Sequence, residues 1–141
     1  MKFVIDTNVF VEAISPNSPY HSIFKSLMEG EFSICISNEI LLEYEEVITE
    51  KFSPVHFQKF MGFMSYSPFV LKFQPSYRFN LITTDPDDNK FVDCAICAAA
   101  QAIITSDKDF QVLKRIDFPK VNVMTPNEFI SKILKITTET N

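Results

Sequence analysis

The sequence predicts an α/β fold of three layers, a central, mostly parallel sheet of about five strands flanked by helices. Three observations predict it. Short β-branched and aromatic runs, Phe3-Val4-Ile5 among them, alternate with amphipathic helical segments along the chain. The runs are apolar at consecutive positions, as strands covered on both faces are. The 141 residues, 46% of them hydrophobic, suffice for one packed domain over 1–141, without repeats, linkers or low-complexity segments.

Residues 2–6 read as a buried strand, and Thr7 to Ile14 as a helix capped by Asp6 or Thr7. Pro, Asn and Ser make 15–20 a loop. His21 to Glu29 places Ile23, Phe24, Leu27 and Met28 on one helical face, and Gly30 stops it. Phe32 to Ile36 is strand two. Ser37 caps the next helix, with Ile40, Leu41, Tyr44, Val47 and Ile48 at helical spacing. Pro54 starts a helix through HFQKFMGFM, whose Phe and Met side chains read first as core. FVLKF (69–73) is strand three. Residues 74–90 form the longest polar stretch, a loop with a bridge of strand near Leu81 and Ile82. KFVDCAICAAAQ is a helix, AIIT strand four, DFQVLKRI a short helix and VNVMT strand five. Pro126 lies in the first turn of a last helix, NEFISKILKI.

Thirteen Lys and Arg against 18 Asp and Glu give a net charge of −5. That argues against a general electrostatic grip on nucleic acid or on an anionic membrane, unless divalent cations offset a local acidic cluster. Three Cys form no disulfide framework and point to a reducing cytosol. No stretch approaches the ~20 apolar residues of a membrane helix. A soluble, cytoplasmic protein without a membrane role is expected. Two Gly allow neither a dinucleotide fingerprint nor a P-loop, so no nucleotide cofactor is expected. Cys94 and Cys97, a CxxC inside a helix among Ala and Ile, read as buried packing thiols, and no zinc spacing occurs.

Open α/β sheets bind ligands beyond the carboxyl ends of their strands. Asp6 and Asn8 follow strand one, and Asp107 and Asp109 follow strand four, in TSDKDF. Asp93 lies near the start of the helix leading into strand four, and Asp85, Asp87 and Asp88 occupy the loop before it. Glu43 is about two turns into the helix after strand two. Each has an ordinary explanation: a cap for Asp6, the helix dipole for Asp93, a turn for Asp85 and Asp87, a solvated stripe for Glu43 with Glu39, Glu46 and Glu50. Together they point carboxylates from four places at one sheet edge. Such a cluster stays ionised at low cost only with a cation present. Hard oxygen ligands select Mg²⁺ or Mn²⁺, and these ions assist phosphodiester hydrolysis by activating water.

FVIDTNVF, SNEILLEYEEV, DNKFVDCAICAAAQAIITSDKDF and VNVMTPNEFI, in this order over nearly the whole chain, resemble a PIN domain. Within that family they are most similar to the VapC-like toxins of bacterial toxin–antitoxin systems. The resemblance implies a compact α/β domain, an acidic pocket binding Mg²⁺ or Mn²⁺, and metal-dependent endoribonuclease activity as the toxin of a pair. Carried over by motif, Asp6, Glu43, Asp93 and Asp107 form the catalytic and metal-binding quartet. Asp6 and Asp107 would be the principal ligands, and Asp93 a ligand or the seat of a second metal. Glu43 would bind metal through water or orient the attacking water. Asn8, Thr105, Ser106 and Asp109 would support the site, with Asp88 a further member weighted below Asp93. RNA, a cognate antitoxin protein and a second copy in a homodimer are the implied partners. Tyr77, Arg78 and Phe79 in the long loop are placed for RNA contact, with Lys90, Lys108, Lys114 and Arg115 as phosphate partners.

Two other readings stay open. One is a catalytically inactive PIN-like module that binds RNA or protein. The other is a phosphate-accepting receiver domain, against which stands the lack of an acceptor Asp after FVLKF.

Overall fold

The strands are β1 (Lys2–Ile5), β2 (Ser33–Ile36), β3 (Val70–Lys72), β4 (Ala102–Ile104) and β5 (Val123–Met124) in the computed structural model, which describes residues 1–134. Between and after them run α1 (Thr7–Ile14), α2 (His21–Met28), α3 (Asn38–Lys51), α4 (Pro54–Tyr66), α5 (Asn89–Ala98) and α6 (Pro126–Lys132). The sheet order is β3-β2-β1-β4-β5 and every pairing is parallel. Because the chain steps outward from β1 to β3 and then returns to β4 on the other side, right-handed crossovers require helices on both faces. Among the described residues, no helix is long and apolar enough to cross a membrane.

The core follows from the consecutive apolar runs. Val4, Ile5, Ile34, Cys35, Ile103 and Ile104 are at most 1% exposed, so both faces of the three middle strands are covered. Phe3, Phe32 and Phe129 meet edge to face, with centroids 4.8 to 6.0 Å apart, and fasten α6 under β1. Phe60 and Met64 of the Phe/Met helix enter the core, with Phe57, Met61 and Phe63 half-buried against it. The reading of that stretch as core is what the structure contains.

Five local expectations are revised. No strand forms at Leu81 and Ile82: the Asn89 side chain donates to the Ile82 carbonyl (2.8 Å) and accepts its N–H (2.9 Å), the bonds a partner strand would have made. The helix of the small-residue segment stops at Ala98, because Ala99 turns left-handed at φ 52° without a glycine. The short helix expected at DFQVLKRI is a 3-10 helix over Lys108–Arg115, with Ile116 extended after it. Cys97 is exposed, whereas burial pushes the thiols of Cys35 and Cys94 up to about 11 and about 12. The last helix ends at Lys132, and Lys135 and Ile136 of its expected span lie outside the described residues.

Gly30 ends the α2 turn at φ +77°, and a Cβ there would lie 2.4 Å from the Phe69 ring. Gly30→Ala combines a strained φ with a ring that must move. It is expected to cost about 2–4 kcal/mol in urea unfolding.

Candidate metal centre

The strand order changes direction between β1 and β4, which opens a crevice at the carboxyl ends of those two strands. The residues that follow them are Asp6 and Thr105. Asp6 donates its N–H to the Ile104 carbonyl (3.0 Å), so the two strand ends are locked together. Thr105, 2% exposed, donates its hydroxyl to Asp6 Oδ2 (2.8 Å) and accepts the Asp107 N–H (3.0 Å). One hydroxyl therefore fixes the side chain of one acid and the backbone of the other. Asp107 Oδ1 accepts the Asp109 N–H (2.9 Å) and so caps the 3-10 helix. Asp6 occupies the N-cap of α1 but makes no capping bond, its carboxylate being aimed across at β4. Burial raises its pKa against the opposing bonds from Thr105 and Thr7, and the charges of Asp107 and Glu43 add to the rise.

Glu43 enters from α3. Its Oε1 accepts the Thr7 hydroxyl and its Oε2 pairs with the Lys90 ammonium, which also reaches the Asp87 carboxylate (3.0 Å). The Lys90 side chain is 7% exposed. Burial works against its charge, yet its bonds to Glu43 and Asp87 outweigh that and raise its pKa. Lys90, expected as a free phosphate partner, is instead committed to two carboxylates. Next to Glu43, Tyr44 stacks on Phe10 (4.4 Å, 8°) and donates its buried hydroxyl to the Ile5 carbonyl. That bond pins the strand end that carries Asp6.

Asp88 stands at the N-cap of α5, buried, and its Oδ2 has no hydrogen-bond partner. Burial, then the charges of Asp85, Asp107, Asp6 and Asp109, push its pKa up to about 7. Asp85, Asp88 and Asp109 each present an oxygen, all within 4.8 Å of one another. A buried acceptor without a donor, among like charges, is a costly arrangement. A hard divalent cation offsets both costs at once, so the donor set fits Mg²⁺ or Mn²⁺.

Asp93 points elsewhere. It lies five positions past Asp88, about 140° around the helix. Its carboxylate accepts the Phe79 N–H (3.1 Å), and its charged neighbours are Arg78 and Glu39. Burial raises its pKa, with the Phe79 bond and Arg78 opposing. The sequence ranks Asp93 above Asp88 for the cluster; the structure brings Asp88 to Asp6 and Asp107 and does not bring Asp93.

Asn8 and Ser106 line, with Asp6, Asp107, Glu12 and Tyr20, a cavity of about 290 Å³ beside the cluster. Glu12 and Tyr20 are additions to the residues found by sequence. Glu12 was reachable, since it follows Asn8 by four positions on α1 and so shares its face. Tyr20 carries no such signal, because an irregular segment delivers it.

The sequence pattern of the PIN domain family matches residues 2–109. The chain belongs to the PIN domain family. An uncharacterized protein of Methanocaldococcus jannaschii is 33% identical to this PIN domain over 150 residues, covering 96% of this chain and 93% of its own. The crystal structure of VapBC2 from Rickettsia felis, bound to a DNA fragment from their promoter, is similar at a TM-score of 0.58 and 21% identity. That match covers 89% of the PIN domain here and 98% of the other chain, and it shows the fold they share.

Proposed function

We propose that this PIN domain is a metal-dependent endoribonuclease that hydrolyses RNA phosphodiester bonds, acting in the cytoplasm as the toxin of a toxin–antitoxin pair. The observation that carries the nuclease reading is the buried, unpartnered oxygen of Asp88 among the carboxylates at the ends of β1 and β4. Asp6, Asp88 and Asp107 would hold Mg²⁺ or Mn²⁺, with Asp85 and Asp109 alongside. The bound ion would supply Lewis-acid polarisation of phosphate oxygen and a more acidic water.

The chain's own residues prepare the reaction. Thr105 orients the Asp6 carboxylate and the Asp107 backbone through one hydroxyl. Thr7 and Lys90 hold Glu43 in one orientation, and each of its oxygens keeps a further lone pair able to accept a proton from water. Asn8 and Ser106 line the cavity through which substrate would reach Asp6 and Asp107. In this assignment Asp93 is not a ligand.

The toxin reading rests on the fold shared with VapBC2 and on the motif order along the chain. An antitoxin protein and a second copy of the chain are its proposed partners.

Labelled total RNA incubated with Mg²⁺, Mn²⁺ or EDTA tests the activity. Discrete fragments are expected only with metal, and Asp6→Asn is expected to lower their rate about a hundredfold or more. Equal cleavage by Asp6→Asn overturns the site assignment. Manganese binding without cleavage points to the inactive binding module.

A further inference from the structure

A second cavity, of about 250 Å³, opens beside the acidic cluster on the other side of Lys90. Its lining includes Glu39, Tyr77, Arg78, Asn80, Lys90 and Asp93. The volume falls below the roughly 300–1,000 Å³ of sites for drug-sized ligands, and suits one planar group. The cavity is built by the long loop closing over α5. Asn89 grips the backbone of Ile82 through two bonds, and Asp93 takes the Phe79 N–H. Tyr77 and Arg78 immediately precede the Phe79 anchor, and both line the cavity.

The chemistry of the lining is unlike that of the metal cluster. Tyr77 is 65% exposed and meets Phe79 edge to face at 4.6 Å and 61°, so most of its surface is open to a stacking partner. Arg78 is largely exposed, its pairing with Glu39 being long (3.4 Å) and between two exposed side chains. Such a pair is worth little, and the guanidinium is open to a base or a phosphate. Asp93 forms part of the wall, buried, with acceptor capacity beyond its bond to Phe79. Lys90 and Asp87 line the cavity too, and Lys90 joins Glu43, which joins Thr7 beside Asp6. The cavity and the carboxylate cluster are thus linked through Lys90, Glu43 and Thr7, on one continuous path for a single strand.

We infer that this cavity reads one unpaired RNA base next to the cleaved bond, and that the base is guanine. The inference rests on the ribonuclease reading and deepens it by naming a specificity site. Guanine offers two adjacent N–H donors, N1–H and the N2 amine, on its Watson–Crick edge, which a carboxylate accepts together. Adenine and uracil offer no such pair. Single-stranded RNA is recognised by this combination of edge hydrogen bonds and stacking on Tyr or Arg. Asp93 is here a specificity residue, with Tyr77 and Arg78 as its stacking partners.

Binding of single-stranded RNA hexamers in EDTA, followed by fluorescence anisotropy, tests this apart from catalysis. One position carries guanine, inosine or adenine, inosine lacking only the N2 amine. The wild type is expected to prefer guanine over inosine and over adenine by about tenfold or more. Asp93→Asn keeps an acceptor for the Phe79 N–H but puts a donor where guanine needs an acceptor, and is expected to reduce the preference to about twofold or less. Tyr77→Ala, on an exposed ring, is expected to weaken all three hexamers about tenfold. A guanine preference that survives Asp93→Asn, or hexamers bound equally by the wild type, overturns the inference and leaves the nuclease reading standing. A guanine preference lost in Asp93→Asn, in a protein that cleaves no RNA with metal, supports the base site and overturns the nuclease reading. Absence of all RNA binding in EDTA overturns the base site and leaves the nuclease reading to the metal-dependent cleavage assay.

Discussion

Asp88→Asn is expected to raise the dissociation constant for Mn²⁺ about tenfold or more and to lower RNA cleavage about a hundredfold, while Asp93→Asn leaves Mn²⁺ affinity within about twofold. The two residues are five apart in one short segment and carry the same side chain. Only Asp88 has a buried oxygen without a donor, and only Asp88 is subject to the charges of Asp6, Asp107 and Asp109. Asp93 has its donor in the Phe79 N–H and a cation in Arg78. Calorimetric Mn²⁺ titration of both variants checks the contrast. Equal losses in both would restore Asp93 to the metal site, and a silent Asp88→Asn would remove Asp88 from it.

The metal-free protein is expected to lose stability as pH rises from about 4 to about 8, by on the order of 3–4 kcal/mol from Asp88 alone. Burial first, then Asp85, Asp107, Asp6 and Asp109, place the folded pKa of Asp88 at about 7, against 3.8 for the free group. The folded state therefore holds this proton through a window in which the unfolded chain has released it. Stability from Asp88 is full below the lower value and is lost as pH rises through the upper one. Asp6 is shifted in the same direction, chiefly by burial, and adds to the slope. In EDTA at pH 8, Asp88→Asn is expected to melt higher than wild type by on the order of 10 °C, with the gap closing near pH 4. Added Mn²⁺ at pH 8 raises the wild-type Tm and leaves Asp88→Asn nearly unmoved. Calorimetric scans at the two pH values check it, and equal Tm values for the two proteins in EDTA at pH 8 overturn it.

What the sequence exposes and what it hides divide along physical lines. The apolar runs Phe3-Val4-Ile5 and Ala102-Ile103-Ile104 reveal the central strands, because a strand buried on both faces must be apolar at every position. Asp6 and Asp107 follow from the strand ends for the same reason. The choice between Asp88 and Asp93 depends on where α5 begins and which way its faces turn. A start at Asn89 makes Asp88 the residue before the helix and rotates Asp93 toward the loop. Local propensity does not settle a boundary to that resolution. Lys90 looks free in sequence, because nothing local shows that α3 brings Glu43 against it from 47 positions away. Asp85 reads as a turn residue and is one, accepting the Asp87 N–H, while the same loop carries it to Asp88 and Asp109.

The bond from Thr105 to Asp6 joins residues 99 positions apart, and it lies at the centre of the sheet. β1 leaves the ribosome first, but its neighbour β4 is among the last strands to follow. Closing so long a loop must precede any joint placement of Asp6 and Asp107, which makes this a slow, late contact in folding. A nascent chain short of residue 107 holds Asp6 and Glu43 without their counterparts. The order of synthesis therefore delays the acidic cluster until β4 and Asp107 have been made, so whatever chemistry the cluster supports is withheld from the partly made domain.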